Sequence, residues 1–382
     1  MIEKRRLLFV APLPDPMTGQ SLACKVLLDA LEADHAIDVI NLNRSFSNQG
    51  HLDAIRHIAR VLDNVVRMRR LSRTADLIYF NNVESLAGNV KDLLFYAATF
   101  DRLDRMVVHL HGGAGMREIM KGRWPLLARL NRFFIRRVAA MVVLGPRHVD
   151  IYSDHLEPGR IKTAANFAED RWFADDAAIQ DKFARASPIR LLFLSNLLPG
   201  KGHLELARAF LRLEPELRAR FHLDFAGGFD GAENEAAFRE LIAGTPEVTY
   251  HGSVFGDAKQ ALLSGAHVFC LPTYYPYEGQ PISILEAYAA GAAVITTDHS
   301  GIFDTFEDGV NGWAVEKRSV SSLETRLRAI AGDPTSLLAI GLTNAGEARS
   351  TYRVEHFVER MRVIIDPIEK AEQTVIGRCK EA

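Results

Sequence analysis

Short apolar runs of three to seven residues recur along this chain, separated by longer stretches with the spacing of amphipathic helices, and this alternation restricts the fold more than any other feature. The first series falls at residues 7–11, 37–42, 76–80, 106–110, 141–144 and 160–166; a second begins at 189–194 and continues through 221–226, 248–250, 267–271 and 293–297. Strand and helix in alternation imply a mostly parallel sheet covered by helices on both faces, with ligands held at the carboxyl ends of the strands. Between the two series, Glu169-Asp170, Asp175-Asp176 and Pro188 interrupt the pattern and read as a linker. A chain of 382 residues also exceeds what one hydrophobic core normally serves. The expectation is therefore an α/β chain of two Rossmann-like, doubly wound domains, 1–185 and 186–350, facing a central cleft, with a helical C-terminus over 351–382 that packs back toward the first domain.

Charge and cysteine content exclude several functions. A formal net charge of −2 gives no basis for nucleic-acid binding. Cys24, Cys270 and Cys379 are too far apart for a zinc site or a disulfide framework, which fits a reducing, cytoplasmic setting. The apolar run at 7–11 is cut by Pro12, Pro14 and Asp15 before it reaches the length of a signal peptide, and no stretch approaches the roughly 20 apolar residues of a membrane-spanning helix.

The chemistry concentrates in residues 271–291, where a strand gives way to a loop and then a helix. Pro281 suits the first turn of that helix and leaves free backbone N–H groups near Gln280 and Ser283 at the positive end of its dipole, a site for a diphosphate. Glu278 in the loop and Glu286 about one turn into the helix present carboxylates, which only accept hydrogen bonds and so suit pairs of sugar hydroxyls. A second strand end, residues 194–202, carries Lys201, a full positive charge for a diphosphate leaving group, five residues after Asn196. In the first half, Gly19 closes a proline-rich loop after the first strand, ahead of a helix beginning near Ser21, and would let backbone approach a phosphate or acceptor closely. His109 and His111 end another strand and alternate onto the same side. There is no GxxxxGK[ST] loop, no complete GxGxxG and no Asp-X-Asp at a strand end, so neither a resident cofactor nor a metal is expected.

The 271–291 segment resembles the signature of the retaining glycosyltransferases of family 4, which have the GT-B fold. The resemblance covers most of residues 188–316, including Tyr250-His-Gly252 and Gly309-Val-Asn-Gly312, and the N-terminal half more loosely. It implies that the first domain binds the acceptor and the second a nucleotide diphosphate sugar. Glu278 would then hold hydroxyls of the transferred sugar, Glu286 the ribose, and the backbone of Gly279, Gln280, Pro281 and Ile282 the phosphates. His111 would lie in the reaction centre and Lys201 at the leaving group. The chain departs from the pattern at Asn196, where the family usually has arginine, and at Thr18-Gly19, where it often has two glycines. Asparagine offers a neutral amide in place of a bidentate cation, which keeps open a non-catalytic binding subunit of a polysaccharide assembly complex. A sugar-nucleotide hydrolase or epimerase of the same fold also stays open.

The acceptor implied is a glycan or lipid-linked glycan of surface polysaccharide synthesis. Residues 117–137 carry Arg117, Lys121, Arg123, Arg129, Arg132, Arg136 and Arg137 among aromatic and aliphatic side chains, with Glu118 opposing them. A basic amphipathic helix of this kind can lie on the anionic inner face of a cytoplasmic membrane, and a solvated helix over an ordinary core fits the same residues.

Overall fold

The computed structural model describes residues 4–15, 17–43, 51–185 and 187–366. The chain divides into two compact units, one made of Met1–Ala165 with Phe357–Ala382, the other of Asn166–His356. Cys379 and the part of the expected C-terminal helices beyond 366 lie outside the described residues.

The first unit is a six-stranded sheet of β1 (Arg5–Ala11), β2 (His35–Asn41), β3 (Leu77–Asn82), β4 (Met106–Leu110), β5 (Ala140–Val143) and β6 (Ile161–Thr163), in the order β2-β1-β3-β4-β5-β6. Every pairing is parallel. β3 and β4 are buried along their whole length, as central strands covered on both faces must be. On one face Val10, Phe80, Val108 and Met141 pack with Tyr96 and Ile135, which belong to the helices Leu86–Ala98 and Pro125–Ile135.

The second unit is again an all-parallel six-stranded sheet: β7 (Ile189–Leu194), β8 (Phe221–Ala226), β9 (Val248–Tyr250), β10 (Val268–Leu271), β11 (Ala293–Thr296) and β12 (Gly312–Ala314), ordered β12-β11-β10-β7-β8-β9. The order reverses between β7 and β10 in this unit and between β1 and β3 in the first. At such a reversal the loops leave the sheet toward opposite faces and open a crevice at the carboxyl ends of the strands.

Three expectations need correction. The stretch read as a linker is structured within the second unit: Asp175 caps a helix, Asp176–Ala184, by accepting from the Ala178 N–H at 2.7 Å. The buried Ile179 of that helix packs on Gly291, and Lys182 Nζ donates to the carbonyls of Ala266, Ala290 and Gly291 at 2.9, 2.8 and 3.0 Å, closing two helix ends. The compact units accordingly part near 165, ahead of the acidic stretch. Strand β12 was not expected, being three residues opening on a glycine. Residues 117–137 form two helices, Ala114–Met120 and Pro125–Ile135, separated at Gly122, whose φ of 91° only glycine adopts readily.

Candidate active site

In the second unit the loops leaving β7 and β10 at the reversal point carry the charged residues singled out above. Gly200 and Gly202 have φ of 95° and 84°, and a Cβ on Gly202 would come within 2.3 Å of the Pro272 carbonyl oxygen. The two glycines let the β7 loop press onto the β10 loop, and Lys201 between them reaches across. Its Nζ donates to Glu278 Oε2 at 2.8 Å and lies 4.7 Å above the Tyr275 ring. Thr273 Oγ1 donates to the same carboxylate oxygen at 2.9 Å. Glu278 is buried, as a carboxylate can be when it is paired and hydrogen-bonded.

The loop after β11 braces this arrangement from below. Ser300, a non-glycine residue at φ 51°, donates its hydroxyl to the Glu278 carbonyl at 2.7 Å, and the Gly301 N–H donates to the Gly279 carbonyl at 3.2 Å. His299 Nε2 lies 2.7 Å from the Tyr275 carbonyl oxygen, and burial holds its imidazole below the usual range.

The helix begins at Ile282 and ends at Ala289, with Pro281 as its N-cap, one position earlier than expected. Gly279, Gln280, Pro281 and Ile282 are buried, with Ser283 partly exposed at the helix start. The Gln280 side chain is committed to Asn166: its Oε1 accepts from the Asn166 N–H at 2.6 Å, and Asn166 Nδ2 donates to the Gln280 carbonyl at 2.8 Å. Glu286 is 1 % exposed; Lys259 Nζ donates to its Oε1 at 2.6 Å while lying 4.8 Å over the Trp172 ring. Burial raises the Glu286 pKa against the opposing pull of Lys259.

Asn196 is exposed on the β7 loop. His251 Nε2 lies 2.7 Å from Asp224 Oδ1, and Asn311 Nδ2 donates to Asn344 Oδ1 at 2.8 Å, while a Cβ on Gly312 would meet the Val294 carbonyl oxygen at 1.9 Å. The Tyr250-His-Gly252 and Gly309-Val-Asn-Gly312 segments therefore act as structural fastenings.

The first unit holds the other two candidates. His111 follows β4 with its ring centroid 4.0 Å from that of His109, whose Nδ1 lies 2.8 Å from the Tyr79 hydroxyl. Burial pushes the His111 pKa down to about 4, so the imidazole is neutral at physiological pH. Gly19 is the first residue of the helix Gly19–Leu31, two positions ahead of the expected start, capped by Thr18 in a capping box with Ser21. It is exposed and lies outside the left-handed region, so no special backbone freedom is used there. Next to it Gln20 donates to Asn81 of β3, across the reversal point of this sheet.

Among the described residues no group of three or more His, Cys, Asp or Glu is placed to hold a metal ion, and no helix is long and apolar enough to cross a membrane.

Residues 188–333 match the family model Glycosyl transferases group 1. The match lies within the second unit and covers less than half of the chain. The D-inositol 3-phosphate glycosyltransferase of Kribbella flavida is 32 % identical over 165 residues, 41 % of this chain and 38 % of that protein. The amylovoran biosynthesis glycosyltransferase AmsK of Erwinia amylovora is 26 % identical over 180 residues, 45 % of this chain and 43 % of its own length. These matches span less than half of either relative. Sucrose-phosphate synthase of Thermosynechococcus elongatus superposes with a TM-score of 0.73 at 16 % identity, over 96 % of this chain and 100 % of that one. Anabaena HepE in complex with UDP-glucose gives 0.70 at 16 % identity, over 97 % and 99 %. The fold is the GT-B architecture, with two Rossmann-like units.

Sequence reading singled out Lys201, Glu278 and Glu286 as candidates but not Lys259 and Thr273, which hold the two carboxylates, nor Ser300, which holds the Glu278 backbone carbonyl. A basic residue on a helix and hydroxyls after strands are too common to stand out, and only the folded packing brings them to Glu278 and Glu286.

Proposed function

We propose that the chain transfers a sugar from a nucleotide diphosphate sugar to a glycan or lipid-linked glycan acceptor in surface polysaccharide synthesis. The observation that carries the reading is the Lys201–Glu278 pair, held beside a helix N-terminus at the reversal point of a sheet within the segment that matches the family. Without a donor the two charges satisfy one another. A bound diphosphate would draw Lys201 toward its oxygens together with the free amides at the start of the helix Ile282–Ala289, releasing Glu278 to accept from sugar hydroxyls. Glu286 would take the ribose hydroxyls, with Lys259 turning toward the incoming phosphate or solvent.

The catalytic work is then electrostatic. Lys201 and the amides stabilise negative charge on the departing nucleotide diphosphate, while the acceptor hydroxyl attacks an oxocarbenium-like anomeric carbon. Configuration is retained in this reading, with attack on the face from which the leaving group departs and a phosphate oxygen taking the acceptor proton. The set of donors supplies the charge a metal would otherwise supply, and the reaction runs in the cytoplasm without one.

Thermal-shift titration with nucleotide diphosphates and nucleotide sugars, with and without EDTA, tests the reading on wild type and Glu286→Ala. One donor is expected to raise the melting temperature equally in EDTA and to lose that effect in Glu286→Ala. No shift with any donor refutes the donor site, and loss of the shift in EDTA refutes metal independence. Consumption of the donor without acceptor would assign a hydrolase or epimerase. Exposed Asn196 favours a second reading, a binding subunit without turnover; recovery of transfer in Asn196→Arg from an inactive wild type would establish it.

A further inference from the structure

Eleven of the sixteen large hydrophobic side chains that stand exposed among the described residues lie on three neighbouring helices of the first unit and the turn after the second. The helix His51–Ser72 exposes Ile55, Ile58, Leu62 and Val66. Leu86–Ala98 exposes Leu86, Val90 and Leu94, and Pro125–Ile135 exposes Leu126, Leu130 and Phe133, beside Phe100. Within each helix the spacing is three or four residues, so each set forms one stripe.

The stripes belong to one surface. All three helices contribute to the core cluster on the same face of the sheet, through Met68, Phe95 and Phe134 among others, so their outer sides point away from that face together. Leu86–Ala98 packs beside His51–Ser72 on one flank. On the other, Asn89 and Asn131 exchange side-chain hydrogen bonds of 3.0 and 2.7 Å, and Phe100 stacks on Phe133 at 5.8 Å.

The charge on this surface selects its occupant. Residues 51–73, 86–98 and 123–137 together carry twelve Lys or Arg and three Asp or Glu, one of them the buried Asp92, whereas the whole chain carries 46 and 48. Arg137 lies 4.1 Å over Phe133 and 5.3 Å over Phe100, its charge carried at the rim of apolar surface. Two copies meeting through this face would oppose strong positive charge to itself, while an anionic bilayer offers both an apolar phase and the matching sign.

We infer that this three-helix surface seats the protein on an anionic lipid bilayer, with the apolar stripes entering the interface and the flanking arginines meeting phosphate headgroups. This relocates the expected membrane contact. Arg117 is held by Asp150 at 2.7 Å and Arg123 by Glu118 at 2.6 Å, and Arg132 donates to the Met120 carbonyl, so much of the basic charge of 117–137 is already engaged. The stripes of the two preceding helices supply most of the contact. The inference goes beyond the donor reading, because the surface lies in the first unit and the donor residues in the second.

Co-sedimentation with vesicles of phosphatidylcholine alone, and of equimolar phosphatidylcholine and phosphatidylglycerol, tests it on the full chain. Wild type is expected to pellet with the anionic vesicles at low salt, less so at high salt, and to stay in solution with the neutral ones. Two triple variants change exposed positions: Ile58→Ser with Leu94→Ser and Leu126→Ser, one on each helix, and Arg60→Ser with Arg70→Ser and Arg129→Ser, two on the first helix and one on the third. Each basic residue near an anionic surface contributes about fivefold in affinity, so the arginine triple should bind roughly a hundredfold more weakly. The apolar triple should lose binding that survives in high salt. Wild type remaining in solution with anionic vesicles, or either triple binding as wild type does, overturns the inference; so does a wild-type dimer that the apolar triple makes monomeric without any vesicle binding. Nucleotide thermal shifts on the same variants should match wild type, so failure of the donor reading would leave the vesicle result intact.

Discussion

Replacing Lys259 with methionine removes the ammonium held 2.6 Å from Glu286 and leaves a carboxylate that is 1 % exposed to face the protein interior. Stranding a buried charge in this way typically costs about 3–5 kcal/mol. The carboxyl has a cheaper escape, which is to take up a proton. From its ordinary value of 4.5, protonation at pH 7 costs about 1.36 kcal/mol for each of the 2.5 units between, or about 3.4 kcal/mol, and this caps the loss. At pH 5.5 the same cap is about 1.4 kcal/mol. The sign follows from linkage: in the variant the folded-state pKa rises further above the unfolded value, so stability is retained at low pH and lost as pH rises through the folded pKa. The destabilisation relative to wild type should therefore grow by at most about 2 kcal/mol between pH 5.5 and pH 7, since burial already raises the wild-type carboxyl. Urea unfolding in a Trp124→Phe background reads this from Trp172 and Trp313, both in the second unit. Adding Glu286→Gln to Lys259→Met removes the stranded charge and should restore most of the loss. A pH-independent loss, or a double variant as unstable as the single one, would show that the Lys259 stem and its contact with Trp172 matter and the charge does not.

Gly202→Ala should cost at least about 1–2 kcal/mol for the left-handed backbone alone and, by forcing the β7 loop off the Pro272 carbonyl, should abolish the nucleotide-induced thermal shift; an unchanged shift would separate Lys201 placement from that glycine. Acid should destabilise the fold between pH 6.5 and about 4. Burial holds His111, His148, His203 and His267 down to about 4 and His109 well below its ordinary value, so the unfolded chain takes up protons in that window that the folded chain refuses. Each such proton steepens the fall by about 1.4 kcal/mol per pH unit. Asp92, pushed up to about 7, and Glu286, raised by burial, oppose the trend because their folded forms hold the extra proton. A urea midpoint that stays flat or rises from pH 6.5 to 4.5 would contradict the balance.

Alternation of apolar runs made eleven of the twelve strands legible, most plainly the central ones, which are near-continuously apolar because both faces are buried. Strand β12 has three residues and starts on Gly312, whose merit is the absence of a Cβ against the Val294 carbonyl, a packing property invisible to periodicity. The acidic stretch around 175 misled for a related reason. Asp175 is a helix cap and Asp176 pairs with Arg349, far away in sequence, so residues that look like solvated linker are fastened to the second unit. At the site, strand-end position and side-chain chemistry made Lys201, Glu278 and Glu286 candidates, and the family resemblance set them apart from solvated acids and a loop lysine. Their partners were hidden because Ser300 lies on the loop after β11 and Lys259 on the helix Gly256–Gly265 that follows β9, both far in sequence from the carboxyl or carbonyl they reach.

That sheet order also bears on how positive charge is shared. The pairing of Lys201 with Glu278 and of Lys259 with Glu286 lets two carboxylates stay buried in the absence of a ligand, each beside a cation that an incoming phosphate can compete for. His111 cannot add to that charge, since burial leaves it neutral at physiological pH. In the proposed reaction the charge developing on the leaving group therefore falls to Lys201, Lys259 and the amides at the start of the helix Ile282–Ala289. Asn196 makes that assignment stricter: a neutral amide in place of the arginine implied by the family resemblance leaves Lys201 with a larger share of the diphosphate.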